Sequence, residues 1–479
     1  MKKHTDFNYN DINEQYGLCS ELCEINKGKN LKVRVETFGC QQNEADSERI
    51  LGWAIGCGYT KCDSIEEADL IVYNTCAVRE HAELRALSKT GQLKHLKEKN
   101  PDLIIGLWGC MVAQEHRKNT IKHSYPYVDF VAGTNMLHRF PEILYDVVTN
   151  KRRRYYVGTE DYSVIEGSAV ERDSSFRAWV SIMYGCNNFC TYCVVPYVRG
   201  RERSRKPEAI LEEVRELAEK GYKEITLLGQ NVNSYGKTLP ENERISFAQL
   251  LEKICEIPGD FLVRFMTSHP KDASDELIEV MKKNPKIARH FHLPMQSGSS
   301  EVLKAMNRHY DRERYFEVAR KIKETMPDIT FTTDIIVGFP GETDAQFEET
   351  LSAVREIGFD SIYAFIFSPR NGTPAAEMED PISKEEKSAR FSKLLEIESE
   401  VNATLGKKLV GREMRILVDN HPAQDGFCSG RNSGNKIIKF KTNKDYYGEY
   451  INVKVVSSEG ASVYAEIIEN QKTIERNGM

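Results

Sequence analysis

An alternation of short apolar runs with helical stretches constrains the fold of this chain more than any other feature, because it is typical of βαβ units in a parallel sheet. It first occupies residues 31–149, where helical patterns over 44–56, 82–99 and 113–122 follow the first three runs. Four runs predict strands, over Leu31–Phe38, Leu70–Asn74, Leu103–Trp108 and Val128–Ala132. We therefore predict an amino-terminal α/β domain built on a parallel sheet.

The same alternation returns over residues 176–402 and predicts a second α/β domain. Six strands are expected, over Ala178–Met183, Glu224–Leu228, Leu262–Thr267, His290–Leu293, Thr330–Val337 and Ser361–Phe367. Six βα units in a stretch of about 220 residues fit an open, partial (β/α)6 barrel better than a closed barrel of eight units. Functional groups are then expected in the loops at the carboxyl ends of the strands.

The rest of the chain divides into three segments. Residues 1–30 show no clear periodicity and are expected to form a flexible extension, in which Cys19 and Cys23 are only a weak metal-ligand pattern. Residues 150–175 begin with a basic run and are expected to be a linker. Residues 405–470 contain short apolar runs separated by Gly, Asn and Asp, which predicts a small carboxyl-terminal β-barrel.

The composition is that of a globular protein, with 40% hydrophobic and 29% charged residues among 479 and a formal net charge of −6. No apolar run approaches the roughly 18 residues of a membrane helix, and residues 1–30 lack the apolar region of a secretory signal. We therefore expect a cytoplasmic protein with no membrane partner. In that reducing compartment, clustered cysteines among the twelve are expected to be metal ligands or reactive thiols.

The sharpest motif is C-N-N-F-C-T-Y-C, which places Cys186, Cys190 and Cys193 in the loop after the first predicted strand of the second domain. Three thiolates can each bind one iron of a cubane cluster and leave the fourth iron open for a cofactor. A structural zinc site is the alternative, but it needs a fourth ligand, and none is nearby in the sequence.

This loop resembles the cluster motif of the radical S-adenosylmethionine superfamily, including the aromatic Tyr192 before the third cysteine. The resemblance implies a [4Fe-4S] cluster that cleaves S-adenosylmethionine to a 5′-deoxyadenosyl radical. Such a radical removes hydrogen from C–H bonds that are too weakly acidic for general-base catalysis near neutral pH.

Three further cysteines, Cys40, Cys76 and Cys110, form no motif by spacing, but each comes at or within two residues of the carboxyl end of one of the first three predicted strands. Adjacent parallel strands bring such ends together, so the three thiols are expected to converge. The alternative is three buried cysteines without a ligand role. Cysteines that lack this placement are expected to be packing residues, namely Cys57, Cys62, Cys255 and Cys428.

The two triplets together resemble the methylthiotransferase family, which has an amino-terminal cluster domain, a radical core and a carboxyl-terminal TRAM domain, over about residues 31–470. The segments T-F-G-C-Q-Q-N-E-A-D-S-E, N-T-C-A-V-R-E and H-L-P-M-Q-S-G-S are most similar to the MiaB type. That type converts N6-isopentenyladenosine at position 37 of tRNA, next to the anticodon, to its 2-methylthio derivative. Gln42 replaces a usual methionine and Asn371 a common proline; neither departure touches a thiol.

This resemblance implies two [4Fe-4S] clusters and two equivalents of S-adenosyl-L-methionine, one as the methyl donor and one as the radical source. The first cluster is expected to supply or hold the sulfur that is inserted. The implied partners are a tRNA substrate, a flavodoxin- or ferredoxin-like external electron donor and a sulfur donor. The protein is expected to act as a monomer.

Polar side chains and one glycine at the ends of the later predicted strands are candidates for binding S-adenosylmethionine. Each of them alone would be equally compatible with capping a helix, but their shared position at one rim favours a cofactor site. The candidates are Gly229, Gln230, Asn231, Asn233, Ser268, Gln296 and Asp334.

Basic residues in two regions are candidates for RNA contacts. An arginine ladder begins six residues after Cys193, where a bound phosphate backbone would bring an extruded base near the cluster. Alternatively, some of these arginines pair with carboxylates. The last domain resembles the TRAM module and is basic around Phe440, so it is expected to bind the tRNA. The alternative is a domain that contacts another protein. The candidates are Arg199, Arg201, Arg203, Arg205, Lys436, Lys439 and Lys441.

Three other functions stay open. One is methylthiolation of threonylcarbamoyladenosine in tRNA, and another is methylthiolation of a ribosomal-protein aspartate. The third is a non-catalytic iron–sulfur protein that binds RNA or senses redox state, although sensing needs neither an open iron nor a rim of amides.

Overall fold

The computed structural model describes residues 9–78, 80–157, 164 and 166–468. Its amino-terminal domain has six strands, β1 Lys32–Phe38, β2 Thr60–Lys61, β3 Leu70–Thr75, β4 Ile104–Gly109, β5 Phe130–Ala132 and β6 Arg154–Tyr156. The helices are α1 Tyr9–Asn26, α2 Gln41–Gly56, α3 Glu80–Gln92, α4 Lys94–Lys99, α5 Glu115–Ser124 and α6 Phe140–Asn150. The strands form one parallel sheet in the order β2-β1-β3-β4-β5-β6, which confirms the predicted parallel α/β domain.

Helices cover both faces of this sheet, and for that reason every residue of the central strand β3 is buried. One face packs against a cluster that includes Trp53 of α2 and Phe140 of α6. The other packs against a cluster that includes Leu87 of α3 and Ile121 of α5. The carboxyl ends of β1, β3 and β4 lie side by side at one edge of this closed core.

The expected flexible extension is wrong for residues 9–26, which form helix α1. Leu22 and Cys19 of this helix are buried in the same cluster as Trp53. The Sγ atoms of Cys19 and Cys57 lie 3.2 Å apart, so Cys57 packs in the core as expected. The expectation for residues 1–8 lies outside the described residues.

The predicted linker also begins differently, because Arg154–Tyr156 forms the edge strand β6. The guanidinium of Arg153 donates to the carbonyl oxygens of Ile121, Lys122 and Tyr125 at the end of α5. Arg154 forms an ion pair with Asp146. These two arginines of the basic run therefore have structural contacts, while residues 158–163 and 165 lie outside the described part.

The second domain contains β7 Arg177–Ser181, β8 Met183–Tyr184, β9 Arg203–Ser204, β10 Glu224–Leu228, β11 Leu262–Phe265, β12 His290–His292, β13 Thr330–Val337 and β14 Ser361–Ile366. The parallel groups β7-β10-β11 and β12-β13-β14 are linked by a bridge between Val263 and Ile287. All six predicted strands are present, in chain order, as an open partial barrel. Strands β8 and β9 form a small antiparallel pair beyond the end of β7.

The helices of this domain are α7 Val195–Arg199, α8 Pro207–Glu219, α9 Phe247–Glu256, α10 Asp275–Lys283, α11 Ser300–Ala305, α12 Arg312–Thr325, α13 Asp344–Ile357 and α14 Lys384–Lys407. Helix α13 begins with a capping box between Thr343 and Gln346 and ends at Gly358, which has a φ of +66°. No described helix has the length and apolar character that a membrane crossing needs.

The carboxyl-terminal domain is a closed five-stranded barrel of β15 Glu413–Val418, β16 Phe427–Asn432, β17 Ile437–Lys441, β18 Tyr450–Glu459 and β19 Ser462–Ile467. Exposed and buried residues alternate along β17, so Ile438 and Phe440 point inward. This confirms the predicted β-barrel.

The barrel packs against the amino-terminal ends of the core strands. The guanidinium of Arg264 donates to the carbonyl oxygens of Asn432 and Ser433. The hydroxyl of Tyr450 donates to the carbonyl oxygen of Lys223, just before β10. The barrel therefore lies at the edge of the core opposite to the carboxyl ends of its strands.

Candidate metal and cofactor site

The loop after β8 brings the cysteine triplet of the core together. The backbone N–H of Cys193 donates to the carbonyl oxygen of Cys190 at 3.0 Å. Cys186 and Cys190 are buried and Cys193 is half-buried. Burial raises the pKa of Cys186 to about 11 and that of Cys193 to about 12. These thiols are therefore protonated near neutral pH, and a metal that binds them must displace the protons.

Two unusual backbone conformations shape this loop. Gly185 has a φ of +76°, and a Cβ atom there would lie 2.1 Å from the carbonyl oxygen of Arg201. Phe189, with a φ of +47°, adopts the left-handed region without being glycine. Strain of this kind costs about 1–3 kcal/mol and is concentrated at functional sites.

A buried arginine contacts this triplet from a distant part of the chain. Nη1 of Arg308 donates to Sγ of Cys190 at 3.2 Å, and Nε donates to the hydroxyl of Tyr310 at 3.0 Å. The neighbouring Asn307 donates to the carbonyl oxygen of Phe189 at 2.9 Å. Sequence reasoning missed Arg308, because it lies 118 positions after Cys190 and no spacing pattern links the two residues.

The register of the amino-terminal sheet brings the second triplet together. Thr75 at the end of β3 is paired with the last residues of β1 and β4. Cys76 directly follows β3, and Cys110 directly follows β4. Cys40 is the N-cap residue of α2. A hydrogen bond with Cys76 and the charge of Arg199 lower the pKa of Cys40. The register of β1, β3 and β4 therefore brings the ends that carry these three thiols next to one another, with Cys40 exposed and the other two buried.

Arg199 at the end of α7 reaches from the core domain into this second triplet. Its Nε donates to Sγ of Cys110 at 3.2 Å, and Nη2 donates to Oδ2 of Asp46 at 2.8 Å. The side chain is 5% exposed. The carbonyl oxygen of the next residue, Gly200, accepts from the backbone N–H of Cys186 at 3.1 Å. Residues 199–200 therefore contact both triplets.

The two triplets lie against the same short helix. Ala77, which follows Cys76, forms one apolar cluster with Cys110, Val194 and Val198. Val194 directly follows Cys193 and leads into α7. Cys76 of one triplet and Cys193 of the other are therefore each next in sequence to a residue of this shared cluster.

Gln42 also joins the two domains near the triplets. Its Nε2 donates to Oγ of Ser181 at 2.8 Å, and its Oε1 accepts from Nε2 of Gln230 at 3.4 Å. Oε1 of Gln230 in turn accepts from the backbone N–H of Gly185. The residue that departs from the usual methionine therefore makes polar contacts across the domain interface.

Each of the two donor sets consists of three cysteine thiols, the kind of donor that iron–sulfur clusters use. Within the described ranges, no three His, Cys, Asp or Glu side chains surround one point as a lone metal ion requires. A cubane cluster instead spreads three thiolates over three separate irons, and all-thiolate sets are the usual ligands of such clusters.

Unpaired buried polar groups mark a site beside the core triplet. A buried donor or acceptor without a partner costs about 1–3 kcal/mol, so a ligand that carries an amine and a carboxylate would be stabilised here. Of the described buried groups without a hydrogen-bond partner, those in the loops after β10 and β11 are Oδ1 of Asn231, both amide atoms of Asn233, Oγ of Ser268 and Nε2 of His269. These residues fit S-adenosylmethionine, and His269 is one that sequence reasoning missed.

These groups belong to the loops after β10 and β11, which lie next to each other and to the cysteine loop. The backbone N–H of Val232 donates to the carbonyl oxygen of Thr267 at 3.1 Å. The Lys271 amine donates to Oδ1 of Asn188. Burial, followed by the charge of Arg308, lowers the pKa of His269, so its ring is neutral. Its Nδ1 accepts from the backbone N–H of Lys271, so the unpaired Nε2 carries the proton and can donate a hydrogen bond.

The other predicted cofactor residues are placed in two groups. A Cβ atom on Gly229 would lie 2.5 Å from Cγ of Met183, so no side chain fits there. Gln230 contacts the cysteine loop, as described. Gln296 has a φ of +68° and donates its N–H to the carbonyl oxygen of Asp334 at 2.8 Å. These two therefore lie at β12–β13, whereas the unpaired amides lie at β10–β11.

The arginine ladder does not form a continuous RNA-facing surface. Arg199 is buried between Cys110 and Asp46, and Arg205 is buried in ion pairs with Glu166 and Glu213. For these two arginines the RNA expectation is wrong and the carboxylate alternative holds, because a buried guanidinium needs a compensating charge.

The remaining basic candidates differ in exposure. Arg201 is exposed, with its guanidinium 4.1 Å from the centre of the Phe189 ring, and Arg203 is half-buried. Lys439 and Lys441 are exposed on β17 of the barrel. Lys436 instead lies 3.8 Å from Asp360 at the contact between barrel and core, so it is not on the free surface that was expected.

The chain is closely similar to curated proteins named tRNA-2-methylthio-N(6)-dimethylallyladenosine synthase. It is 46% identical to the one from Thermoanaerobacter sp. (strain X514) over 96% of this chain and 97% of the relative. It is 49% identical to the one from Clostridium botulinum (strain Langeland / NCTC 10281 / Type F) over 91% of this chain and 96% of the relative.

Two family descriptions match parts of the chain. Residues 180–354 match the Radical SAM superfamily, and residues 32–133 match the uncharacterized protein family UPF0004. Among solved structures, the radical S-adenosylmethionine methyltransferase TsrM from Kitasatospora setae, with tryptophan and an S-adenosylmethionine analogue bound, aligns with a TM-score of 0.54. The alignment covers 72% of this chain and 75% of that chain at 13% identity, so this likeness concerns the fold.

Proposed function

The chain belongs to the family of tRNA-2-methylthio-N(6)-dimethylallyladenosine synthases, and from this premise we propose that it methylthiolates C2 of N6-isopentenyladenosine at position 37 of tRNA. Its radical SAM domain implies S-adenosylmethionine and a [4Fe-4S] cluster as cofactors. The proposal adds a second [4Fe-4S] cluster, held by Cys40, Cys76 and Cys110.

The observation that carries this proposal is the apolar cluster in which α7 joins residues of, or next to, both cysteine triplets. A single cluster would suffice to generate a radical. A second thiolate set across a shared apolar contact supports a division of labour, in which one site opens the C–H bond and the other supplies the sulfur. The exposed Cys40 at the edge of the second set is compatible with access for exogenous sulfur.

When bound, S-adenosylmethionine and a reduced cluster would supply the radical chemistry needed to open an unactivated C–H bond. The protein groups proposed to bind and orient it are the unpaired amides of Asn231 and Asn233, the hydroxyl of Ser268 and the neutral ring of His269. Arg308 holds Cys190 by a hydrogen bond and so fixes one ligand of the core triplet.

The proposed RNA contacts are the exposed residues Arg201, Lys439 and Lys441, with Arg203 at the edge of the same segment. We further propose a flavodoxin- or ferredoxin-like electron donor, a separate sulfur donor and a monomeric enzyme. A tRNA substrate places the reaction in the cytoplasm.

Nucleoside analysis of tRNA tests the substrate. Cells that lack the protein should lose 2-methylthio-N6-isopentenyladenosine and accumulate N6-isopentenyladenosine. Complementation with the intact chain should restore the product. An unchanged level of this nucleoside, together with loss of the 2-methylthio derivative of threonylcarbamoyladenosine, would assign the other tRNA base.

A second assay tests the class of the protein. Anaerobically reconstituted and reduced protein should convert S-adenosylmethionine to 5′-deoxyadenosine and should contain about eight irons per chain. Absence of 5′-deoxyadenosine under strict anaerobiosis would favour a non-catalytic iron–sulfur protein.

A further inference from the structure

Each cysteine triplet receives one hydrogen bond from a buried arginine, but the two arginines differ in origin. Arg308 and Cys190 belong to the same domain. Arg199 belongs to the core domain, whereas Cys110, which it contacts, belongs to the amino-terminal domain. The contact to Cys110 is therefore present only while the two domains are docked.

The side chain of Arg199 is buried and cannot contact RNA at the surface. Its guanidinium is 5% exposed, and its partner carboxylate on Asp46 is 4% exposed. Asp46 is itself held by Nε2 of Gln42 at 3.2 Å. The positive charge is thus fixed within hydrogen-bond distance of the Cys110 sulfur, in a dry environment where electrostatic effects are strong.

Hydrogen bonds and charges at the ligand sulfurs set the reduction potential of an iron–sulfur cluster. A cluster becomes more negative when it is reduced, so a fixed positive donor on a ligand sulfur stabilises the reduced form. The same segment contacts the other triplet, because the carbonyl oxygen of Gly200 accepts from the N–H of Cys186 at 3.1 Å.

We infer that Arg199 is a positioning residue that raises the reduction potential of the amino-terminal cluster through its charged hydrogen bond to Cys110, and that it does so only when the domains are docked. The inference rests on the proposed second cluster. It assigns a redox role across the domain interface to a residue whose position in the arginine ladder suggested an RNA contact.

The test uses the full chain in a background that holds only the amino-terminal cluster. Cys186→Ala, Cys190→Ala and Cys193→Ala are combined, and the anaerobically reconstituted protein should contain about four irons. Its midpoint potential is measured by redox titration followed by electron paramagnetic resonance. If this background binds no iron, the proposed second cluster fails, and the proposed function fails with it.

In that background, Arg199→Gln should shift the midpoint potential to a more negative value. Arg199→Lys keeps the charge but has no planar fork to bridge Cys110 and Asp46, so its potential should lie between those of Gln and the parent. Arg215→Gln, an exposed arginine on α8 of the same domain, is the matched control and should leave the potential unchanged. Equal potentials in the parent and Arg199→Gln would overturn the inference while leaving the second cluster intact.

Removing Arg199 leaves the Asp46 carboxylate buried without its ion-pair partner. If this destabilises the site, Arg199→Gln loses iron, and the midpoint potential of the cluster can no longer be measured. Iron content then decides. Recovery of about four irons in Arg199→Lys supports a charged partner of the ligand. Equal iron loss in both variants, with equally lowered melting temperatures, shows that only packing was removed and overturns the inference.

Discussion

The two cysteine triplets reach a similar arrangement by different routes. Residues 186–193 carry one triplet in a single loop, whose shape depends on left-handed conformations at Gly185 and Phe189. The other triplet is assembled from three strand ends, and hydrogen bonding between β1, β3 and β4 fixes its geometry. The difference teaches that ligands held in one loop are close together in the sequence and form a recognisable motif. Ligands brought together by sheet register are far apart in the sequence and form none.

The triplets also differ in how they are exposed to the surroundings. The core triplet lies beside unpaired buried amides, which suits a bound cofactor. The amino-terminal triplet has an exposed Cys40 and a buried arginine from the other domain. Because of this contrast, the two sites should lose their activities separately when their ligands are replaced.

The largest effect is expected for Cys190→Ala. Loss of one of three ligands, and of the thiolate held by Arg308, should reduce 5′-deoxyadenosine formation to background and lower the iron content from about eight to about four per chain. Cys255→Ala, a half-buried cysteine on α9, is the control and should keep both. Normal cofactor cleavage by Cys190→Ala would remove the core triplet from the chemistry.

Cys76→Ala should separate the two activities. Cofactor cleavage should stay within about twofold of the parent, whereas 2-methylthio product should be absent and the iron content should fall to about four. Cys62→Ala, also a buried cysteine of the amino-terminal domain, is the control for local packing. Equal loss of cleavage and product in Cys76→Ala would contradict a division of labour between the triplets.

Gly185→Ala should destabilise the strained loop. Its φ of +76° and the 2.1 Å approach of a new Cβ to the Arg201 carbonyl oxygen should together cost at least about 3 kcal/mol. Gly221→Ala has a similar φ of +82° with open space around it and should cost about 1–2 kcal/mol. Thermal melts of both variants test the difference, and equal melting temperatures would show that the steric contact does not matter.

The smallest effect is expected at the barrel. Replacing Lys439 and Lys441 with Gln should weaken tRNA binding a few-fold and reduce the slope of log K against log salt by about 1 per lysine. Filter binding at several salt concentrations measures this slope. Lys454→Gln, exposed on β18, is the control, and an equal change there would point to net charge rather than to a binding face.

Much of the fold could be predicted because strands and helices alternate in the sequence with clear periods. All six core strands and the four main amino-terminal strands are present. Helix α1 was missed for a physical reason. Its buried positions are Ile12, Gln15, Cys19, Leu22 and Asn26, which follow a helical period, but two of them are polar and hide the apolar pattern.

The candidate site was predictable only in part. The convergence of Cys40, Cys76 and Cys110 followed from strand-end positions in a parallel sheet. Sequence distance does not say in which direction a side chain points, so the burial of Arg199 and Arg205 could not be read from the ladder. Contacts between distant segments, such as Arg308 with Cys190, leave no local pattern at all.

The position of the barrel at the amino-terminal ends of the core strands has a consequence for the length of RNA that the protein can bind. The thiols and unpaired amides lie beyond the carboxyl ends of the strands, while the barrel lies at the opposite edge. Strand β13 alone has eight residues, which corresponds to about 26 Å. If the barrel lysines bind RNA as proposed, an RNA that also enters the core site must span at least this length, and a folded tRNA should then bind more tightly than an oligonucleotide too short to reach both ends.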